Sequence, residues 1–411
     1  MKNIYKMFIF AFALLFASMG FADIKHATGF ENGTSERFQD GTGSGTRSVQ
    51  STTKKTGTYS LRVNPTTSGS GALAIGCPSA VGDVATFCSV ADAYIEFYFR
   101  VDTLPASGYV WFAKPLNTGA GAMLHLRLNS DGTIAVADSG NTLKATGSTV
   151  LSTGTWYRIG INTKPGGAAA YTLKINGTTE VSGTANQGGS NFGLMQIGKL
   201  GDTGANTVDF YYDDYVLNDT AFLGDLIVKT ASVDGTGVRQ TYGFSSGTNS
   251  SNHLEVDEIP SDADTTYVAS AGAGVANFTV QDASTAGISG NIKAVVVYAE
   301  RKEPSAVTSS AVIGLDSNSV RTATTAEDMS TSYLTRQLIL NTDPNTSTAW
   351  TESGFNAIEI YHKQDNAVGS RVTNINAHVL YEEVIATPTP TPTATSTPIT
   401  LKCQMLTGVG Q

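Results

Sequence analysis

The sequence predicts an all-β protein made of two antiparallel β-sandwich domains in tandem. Short runs that alternate apolar and polar residues recur along the chain, and turns rich in Gly, Asn and Asp separate them. We find no segment with the 3.6-residue apolar period of an amphipathic helix. Many strands joined by regular turns, without helices to cover a sheet, favour two packed sheets in each domain.

An export signal is expected over residues 1–22. Two lysines precede an apolar run, and small residues stand before Asp23, where cleavage would fall. The run is too short and too close to the N-terminus for a membrane span, and no later segment is apolar enough for one. The sequence therefore predicts a secreted or cell-surface protein that is not inserted in the membrane after signal cleavage.

The charge of the chain excludes one class of partner. The formal net charge is −9, and removing Lys2 and Lys6 with the signal makes it −11. A nucleic-acid partner requires a clustered basic surface, so none is expected. Mild acidity suits divalent cations.

The first domain is predicted over residues 23–220. Asp-Gly at 131–132 and Asn-Gly at 176–177 are strong hairpin signals. The strands predicted around these turns are "AYIEFYFRV" (93–101), "MLHLRL" (123–128), "TWYRIGI" (155–161), "YTLKI" (171–175) and "FYYDDYVL" (210–217).

Two of the three cysteines bracket a short loop between strand-like segments. Export to an oxidising compartment predicts a disulfide between Cys77 and Cys88, with two free thiols as the alternative. Cys403 has no partner nearby in the sequence, which leaves intermolecular pairing or pairing with a further domain.

The second domain is predicted over residues 222–385, and a spacer and a tail follow it. Alternating Pro and Thr over 386–399 can form neither a ladder nor a helix, so we expect an extended, semi-stiff linker. Residues 400–411 form the tail. A spacer joins two units, so either a downstream domain is missing from this chain or the tail is an attachment point. The strands predicted in this domain are "NIKAVVVYAER" (291–301), "SYLTRQLIL" (332–340), "FNAIEIYHK" (355–363) and "RVTNINAHVLYEE" (371–383).

Two motifs suggest enzymes but lack the context that each enzyme needs. "GFSSG" (243–247) matches the nucleophile elbow, but no helical pattern follows it. "EVDEIP" (255–260) offers Glu255 and Asp257 as the two carboxylates of a glycosidase, yet Pro260 stands where a third acid is expected. The five histidines are scattered, so a zinc site is not expected.

Two neighbouring acids, Asp213 and Asp214, lie in a strand-like run of aromatic residues. Neighbouring side chains in a strand point to opposite faces, so one of the two carboxylates is expected to face a packed interior. A buried carboxylate must be paired, hydrogen-bonded or bound to a metal.

Over roughly residues 27–220 the chain resembles laminin-G-like and concanavalin A-like jelly rolls. The segments that carry the resemblance, in order, are "GFENG" (29–33), "TGTYSLRV" (56–63), "TGTWYRIGI" (153–161), "LKINGTTEV" (173–181) and "YYDDYVLND" (211–219). The resemblance implies two antiparallel sheets and carbohydrate or surface recognition, and it does not imply catalysis. It also places Trp156 in the core.

The same resemblance implies a structural Ca²⁺ site. In such jelly rolls the first and last strands are neighbours, which would bring Glu31 close to the Asp-Asp pair. Facing carboxylates repel unless a cation or a proton lies between them. Glu31 and Asp214 are therefore expected as ligands, with Asp213 as the alternate; a hydrogen-bonded pair without metal is the other interpretation.

Sugar binding relies on exposed aromatic faces, and four residues are candidates: Tyr109, Trp111, Tyr211 and Tyr215. Aromatic residues in strands also fill cores, so packing is the alternative for each of them.

Over roughly residues 222–385 the chain resembles a β-sandwich of phage and prophage structural proteins. The segments that carry this resemblance are "GDLIVKTASVDGTG" (224–237), "VDEIPSDADTTYV" (256–268), "IKAVVVYAERK" (292–302) and "NTDPNTSTAWTESGFNAIEI" (341–360). The export signal and the spacer depart from a virion protein, which needs no export.

The sequence thus predicts a non-catalytic carbohydrate-binding or adhesion protein, whose partner is a polysaccharide or cell-surface glycan. A virion- or tail-type structural protein derived from a phage or prophage is the first alternative. A glycoside hydrolase or lyase accessory chain is the second.

Overall fold

The computed structural model describes residues 23–35, 39–40, 46–64, 71–76, 89–241, 243–244, 251–270, 272–303, 310–365 and 369–383. Three predictions lie outside these residues: the export signal, the cysteine pairing, and the spacer with its tail. Most of the "GFSSG" motif also lies outside them. Within the described ranges the all-β class with tandem sandwiches is confirmed.

The described part of the first domain has fifteen strands that form two antiparallel sheets. Strands β1–β15 are Ile24–Thr28, Gln39–Asp40, Thr46–Gln50, Ser60–Asn64, Gly71–Gly76, Ala93–Thr103, Tyr109–Asn117, Leu124–Asn129, Thr133–Asp138, Leu143–Val150, Trp156–Thr163, Ala169–Ile175, Thr178–Ala185, Phe192–Asp202 and Asp209–Asn218. The first sheet has the order β13-β12-β11-β6-β15-β4-β3, with β1 also on β15. The second has the order β10-β9-β8-β7-β14-β5-β2.

Local sequence explains the hairpins of this domain. Asn176 and Gly177 both have positive φ, 49° and 82°, as a two-residue type I′ turn requires, and they join β12 to β13. Inward side chains from both sheets meet in one core, where Phe99 of β6 stacks on Phe112 of β7 with ring centroids 4.5 Å apart.

The second domain is built from β16–β26 in the described residues. These strands are Leu226–Gln240, Gly243–Phe244, Val268–Ser270, Gly274–Val280, Gly290–Lys302, Ser310–Ser317, Val320–Ala323, Glu327–Asp328, Leu334–Leu340, Ile358–Gln364 and Ser370–Glu383. A 3₁₀ helix (Asn252–Glu255) and the short helix α1 (Glu352–Phe355) complete it, and neither is long or apolar enough to cross a membrane.

The long strand β16 joins the two layers of the second sandwich. Its first half pairs with β26 and its second half with β19, so it passes from one layer to the other. One layer contains β17, β18, β26, β20 and β24, and the other contains β19, β25 and β21–β23. Alternate residues of these strands fill a second core.

A third apolar cluster joins the two domains. Ile24 and Ala27 of β1 and Val216 of β15 come from the first domain. They pack against side chains of the second domain: Leu226, Val228, Ala294, Val296, Tyr298 and Leu380. The outer face of the first sheet is therefore partly covered by the second sandwich, and the two domains share an apolar interface.

Polar groups in the same interface are paired across it. The Tyr298 hydroxyl donates to the Ala27 carbonyl at 2.8 Å, and Asn376 Nδ2 donates to Asn32 Oδ1 at 2.6 Å. The ring of His378 lies on Tyr298, with centroids 4.0 Å apart, and its Nε2 is 3.3 Å from Asn32 Oδ1. Hydrogen bonds of this kind fix the orientation of one domain on the other.

Burial of His378 predicts a pH-dependent loss of stability. Burial lowers its pKa to about 3. A depressed histidine pKa contributes stability that is present above the unfolded pKa of about 6.5 and declines as the pH falls below it. Between pH 7.5 and 5.5 the wild type should lose about 1.4 kcal/mol of unfolding free energy relative to His378→Gln. Urea titrations of both proteins at the two pH values measure this difference.

The matched control is His253→Gln, which changes a half-buried histidine outside the interface. It should show the same pH dependence as the wild type. A wild type and a His378→Gln variant whose stabilities change in parallel between the two pH values would contradict the assignment of this effect to His378.

Candidate functional site

The Asp-Asp pair lies where the edge of β15 changes partner. β4 pairs with Phe210–Tyr212 on this edge, and β1 pairs with Tyr215–Asn218. The residues between them, Asp213 and Asp214, have no strand partner on that side, and the ladder with β6 shifts register there. The two acids therefore occupy a β-bulge at the break between two collinear strands.

The two carboxylates bind the backbone that crosses this break. Asp213 Oδ2 accepts from Lys55 N at 2.8 Å and from Thr56 N at 3.4 Å. Asp214 Oδ1 accepts from Val228 N of the second domain at 2.9 Å, and its Oδ2 accepts from the Thr56 hydroxyl at 2.7 Å. Carboxylate oxygens thus accept the backbone hydrogen bonds that main-chain carbonyls of a neighbouring strand would accept in a regular sheet. The hydrogen bond from Val228 N to Asp214 crosses the domain interface.

The expectation that the two acids point to opposite faces is wrong. Both carboxylates reach the same residue, Thr56, and both are buried, with Asp214 3% exposed. Asp214 has the left-handed φ of 45°, and its carboxylate reaches Val228 of the second domain. Alternation holds only in a regular strand, and a bulge interrupts it.

Glu31 lies beside this pair, as the resemblance implied. Its charge helps to raise the pKa of Asp213, behind the larger effects of burial and of the Asp214 charge. Burial raises the pKa of Asp214 to about 7. Because the folded value exceeds the unfolded one, this group stabilises the fold at low pH, and that stabilisation is lost as the pH rises through 7.

Three carboxylates at this junction could contribute oxygen ligands to a cation. Glu31, Asp213 and Asp214 offer only hard oxygens, the ligands that Ca²⁺ prefers. Gly57 has φ +56°, and a Cβ there would overlap the Glu31 carboxylate, so glycine makes room for that group. No group of three or more His, Cys, Asp or Glu side chains in the described ranges is arranged to hold a metal. A cation here would therefore have fewer than three of these carboxylates as ligands and would also need main-chain oxygens.

A second candidate site is a patch of aromatic and basic side chains on the outer face of the second sheet. We call Tyr109, Trp111, Lys114, His125 and Arg127 the sheet-face patch. They lie on the neighbouring strands β7 and β8, whose alternate residues Val110, Phe112, Leu124, Leu126 and Leu128 point into the core.

The rings of the patch form a continuous series. Tyr109 and Trp111 have centroids 6.2 Å apart, and Trp111 and His125 have centroids 5.2 Å apart. The Arg127 guanidinium lies 4.3 Å from the Tyr109 ring centroid and donates to Asn141 Oδ1 at 2.6 Å. The Trp111 ring lies on Gly201, where a Cβ would meet it at 2.6 Å. The patch is therefore a packed platform with little freedom to rearrange.

The patch combines cations with an unpaired donor. Burial lowers the pKa of Lys114 and of His125, and His125 Nδ1 is 2.9 Å from the Asp138 carbonyl. The indole Nε1 of Trp111 is buried, and no residue in the described part of the chain accepts a hydrogen bond from it.

Tyr109 and Trp111 were predicted as ligand residues, whereas Lys114, His125 and Arg127 were not. The signal for two of these three is in the sequence, because "LHLRL" (124–128) alternates leucines with His125 and Arg127. Alternation places both on the face opposite the core. Their juxtaposition with Tyr109 depends on the β7–β8 register, which the sequence does not state.

The other predicted aromatic residues have different roles. Tyr215 is 1% exposed in the first core, so it presents no face to a glycan. Tyr211 is also buried, with the guanidinium groups of Arg62 and Arg100 within 6 Å of its ring centroid. Trp156 is half-buried on the outer face of the first sheet, 6.4 Å from Tyr211, and does not lie in the core where it was expected.

The two acids of "EVDEIP" are not presented as a catalytic pair. Glu255 is completely buried at the end of the 3₁₀ helix, whereas Asp257 is half-buried in the segment that follows. A carboxylate with no accessible surface cannot reach a glycosidic bond in this conformation.

No protein-family profile matches the chain, and no curated protein matches it. Solved structures do show similarity. The cellulose-induced protein Cip1 is 16% identical, with a TM-score of 0.36, and the match covers 49% of this chain and 99% of that one. An endo-β-1,4-glucuronan lyase from the fungus Trichoderma reesei is 13% identical, with a TM-score of 0.35, covering 49% and 96%.

A third similar structure extends over both domains. The CBM22-1–CBM22-2 tandem domain of Xyn10C from Paenibacillus barcinonensis is 10% identical, with a TM-score of 0.28, and the match covers 87% of this chain and 98% of that one. Identities this low and TM-scores below 0.5 leave the function of this chain to be argued from its own residues.

The junction predicts a difference between two substitutions of Asp214. Asn keeps an acceptor for Val228 N–H and removes the charge, whereas Ala leaves that buried N–H unpaired. At pH 8 with chelator, Asp214→Ala should be about 1–3 kcal/mol less stable than Asp214→Asn. Urea denaturation measures both values. Exposed Asp365 is the control, and its Asn and Ala variants should be equally stable. Equal stability of the two Asp214 variants would contradict the role of this hydrogen bond.

Proposed function

We propose that this protein is a secreted or cell-surface, non-catalytic carbohydrate-binding protein, and that the sheet-face patch holds the polysaccharide. The observation that carries the proposal is the fixed series of Tyr109, Trp111 and His125, with Arg127 against Tyr109. Sugar rings have apolar C–H faces and polar edges. A ligand site for them combines an aromatic platform with a few placed polar groups.

The charges of the patch favour a polymer that carries acidic groups. Lys114 and Arg127 are its two cations, and they lie on adjacent strands. A planar guanidinium binds a carboxylate or a sulfate through two parallel hydrogen bonds. Stacking supplies contact area, and Arg127 supplies selectivity between acidic and neutral polymers.

The sheet-face patch supports non-catalytic binding better than catalysis. His125 is 6% exposed, and its Nδ1 is 2.9 Å from the Asp138 carbonyl, so little of its imidazole is accessible. A general base must reach the proton that it removes. The packed setting of His125 favours a role as part of the platform.

We also propose that the junction binds Ca²⁺ as a structural ion, through Glu31 together with Asp213 or Asp214 and main-chain oxygens. Two observations support this proposal: three acidic side chains are buried together, and the pKa values of Asp213 and Asp214 are raised. A bound cation would offset the mutual repulsion of these carboxylates and allow them to ionise at neutral pH.

The binding proposal predicts that retention depends on the patch. Trp111→Ala and Arg127→Ala should each weaken retention on immobilised acidic polysaccharide about tenfold or more, which corresponds to about 1.4 kcal/mol. Trp156→Ala, a half-buried tryptophan on the opposite sheet, is the matched control and should be retained like the wild type. Affinity electrophoresis in gels that contain neutral or acidic polymers measures retention and selectivity together.

Three results would contradict the binding proposal. Equal retention of the Trp111 and Trp156 variants would show that the sheet-face patch is not the binding site. Release of sugar fragments from the polymer by the wild type would show that the protein is an enzyme. A wild type retained by none of the polymers, but assembled into large particles by light scattering, would favour the phage-type structural protein.

The calcium proposal predicts a cation-dependent melting temperature at pH 7.5. Calcium at one hundred times its dissociation constant should stabilise the fold by about 2.7 kcal/mol, and chelator should reverse the gain. Glu31→Gln should lose most of this difference. Glu359→Gln, a half-buried acid in the second domain, is the control and should keep it. A melting temperature that neither calcium nor chelator changes would contradict the proposal.

A further inference from the structure

A cleft with a volume of about 310 Å³ opens between the two domains. Its wall on the first domain includes Thr58 and Tyr59, and its wall on the second includes Lys229, Thr230 and Ser232. This volume lies at the lower end of the range for small-molecule sites, about 300–1,000 Å³. The sheet-face patch lies on the outer face of the second sheet, whereas the second sandwich and the cleft lie on the side of the first sheet. The cleft and the patch are therefore separate sites.

The wall on the second domain supplies hydrogen-bonding groups along β16. Lys229 Nζ is held by the Gly287 carbonyl at 2.5 Å and lies 5.7 Å from the Tyr381 ring centroid. An ammonium has three donors, so this fixed cation keeps a donor for a ligand. Thr230 Oγ1 is buried and has no hydrogen-bond partner among the described residues. An unsatisfied hydroxyl that lines a cavity is the group that a polar ligand or water would pair.

The wall on the first domain supplies a fixed acceptor and an aromatic ring. The Glu31 carboxylate accepts from Thr58 N at 2.8 Å and from Tyr59 N at 3.1 Å, which holds it at the edge of the cleft. The Tyr59 ring is half-buried, and its hydroxyl reaches across to the Ile259 carbonyl at 3.4 Å. A bound molecule would thus meet a carboxylate, hydroxyls, an ammonium and one ring face.

We infer that this cleft binds a short, hydroxyl-rich ligand, namely one or two sugar units at the end of a saccharide chain. The inference rests on the proposed carbohydrate-binding function and adds a second site to it. Alternating donors and acceptors match sugar hydroxyls, which both donate and accept, and the Tyr59 side chain at the cleft would pack against the C–H side of a sugar. Because the walls belong to different domains, binding there also stabilises the domain interface.

The test uses the whole protein and oligosaccharides of two to four units, both neutral β-1,4-linked and uronic acid types. Titration calorimetry should detect binding to the wild type. Lys229→Met, which removes the ammonium and keeps the volume, should weaken binding about tenfold. Ser232→Phe, which fills the cleft, should abolish it. Lys363→Met changes an exposed lysine on the far layer of the second sandwich and should bind like the wild type.

The use of two different variants distinguishes the loss of a binding contact from the loss of folding. Lys229→Met and Ser232→Phe act through different changes, and each should retain the circular dichroism spectrum and cooperative melting of the wild type. Loss of oligosaccharide binding in a variant that melts cooperatively supports the cleft.

The outcomes separate this inference from the proposed function. A wild type that is retained by polysaccharide but binds no oligosaccharide would overturn the cleft site alone. Cleft variants that bind oligosaccharide as the wild type does would also overturn it. A wild type that binds neither polymer nor oligosaccharide would overturn both the cleft site and the proposed function.

Discussion

The arrangement of the two domains depends on the bulge at Asp213 and Asp214. At this point β15 exchanges one edge partner for another, and backbone N–H groups would otherwise be left without acceptors inside the protein. The two carboxylates accept from the loop at Lys55 and Thr56 and from Val228 in the next domain. An unpaired buried N–H costs about 1–3 kcal/mol, so these acceptors offset part of the cost of burying charge. The same residues therefore close the first sandwich and position the second.

This constraint determines which surfaces remain for function. The second sandwich covers part of the outer face of the first sheet, where Val216 and β1 contribute to the apolar interface. The outer face of the second sheet is on the opposite side, and there Tyr109 and Trp111 are only partly buried. A sandwich has two outer faces, and docking one of them leaves the other for a ligand. The sheet-face patch is on that remaining face, and its rings are fixed by neighbours such as Gly201.

Much of the fold can be predicted from sequence patterns that act over a few residues, whereas less of the candidate site can be predicted from them. Alternation in "AYIEFYFRV" and the Asn176-Gly177 turn predict strands and a hairpin that the structure contains, because both signals act over a few residues. The sequence leaves a ligand role and core packing open for Tyr215, which is packed in the core, and it places Trp156 in the core, whereas that residue is half-buried on an outer face. Both environments depend on partners far away in the sequence. Glu31 and the Asp-Asp pair were brought together by a resemblance, because no local rule joins residues about 180 positions apart.

The buried polar groups at the interface indicate that the tandem acts as one body. Tyr298 donates to Ala27 across the interface, and Asn376 donates to Asn32, so separation of the domains would expose apolar surface and break these bonds together. Interfaces between independent domains are more polar and allow relative motion. Here a continuous apolar cluster lies between two sets of paired polar groups, one at Asp214 and one at Asn32. A ligand held on one sandwich would therefore be held at a fixed orientation to the other sandwich.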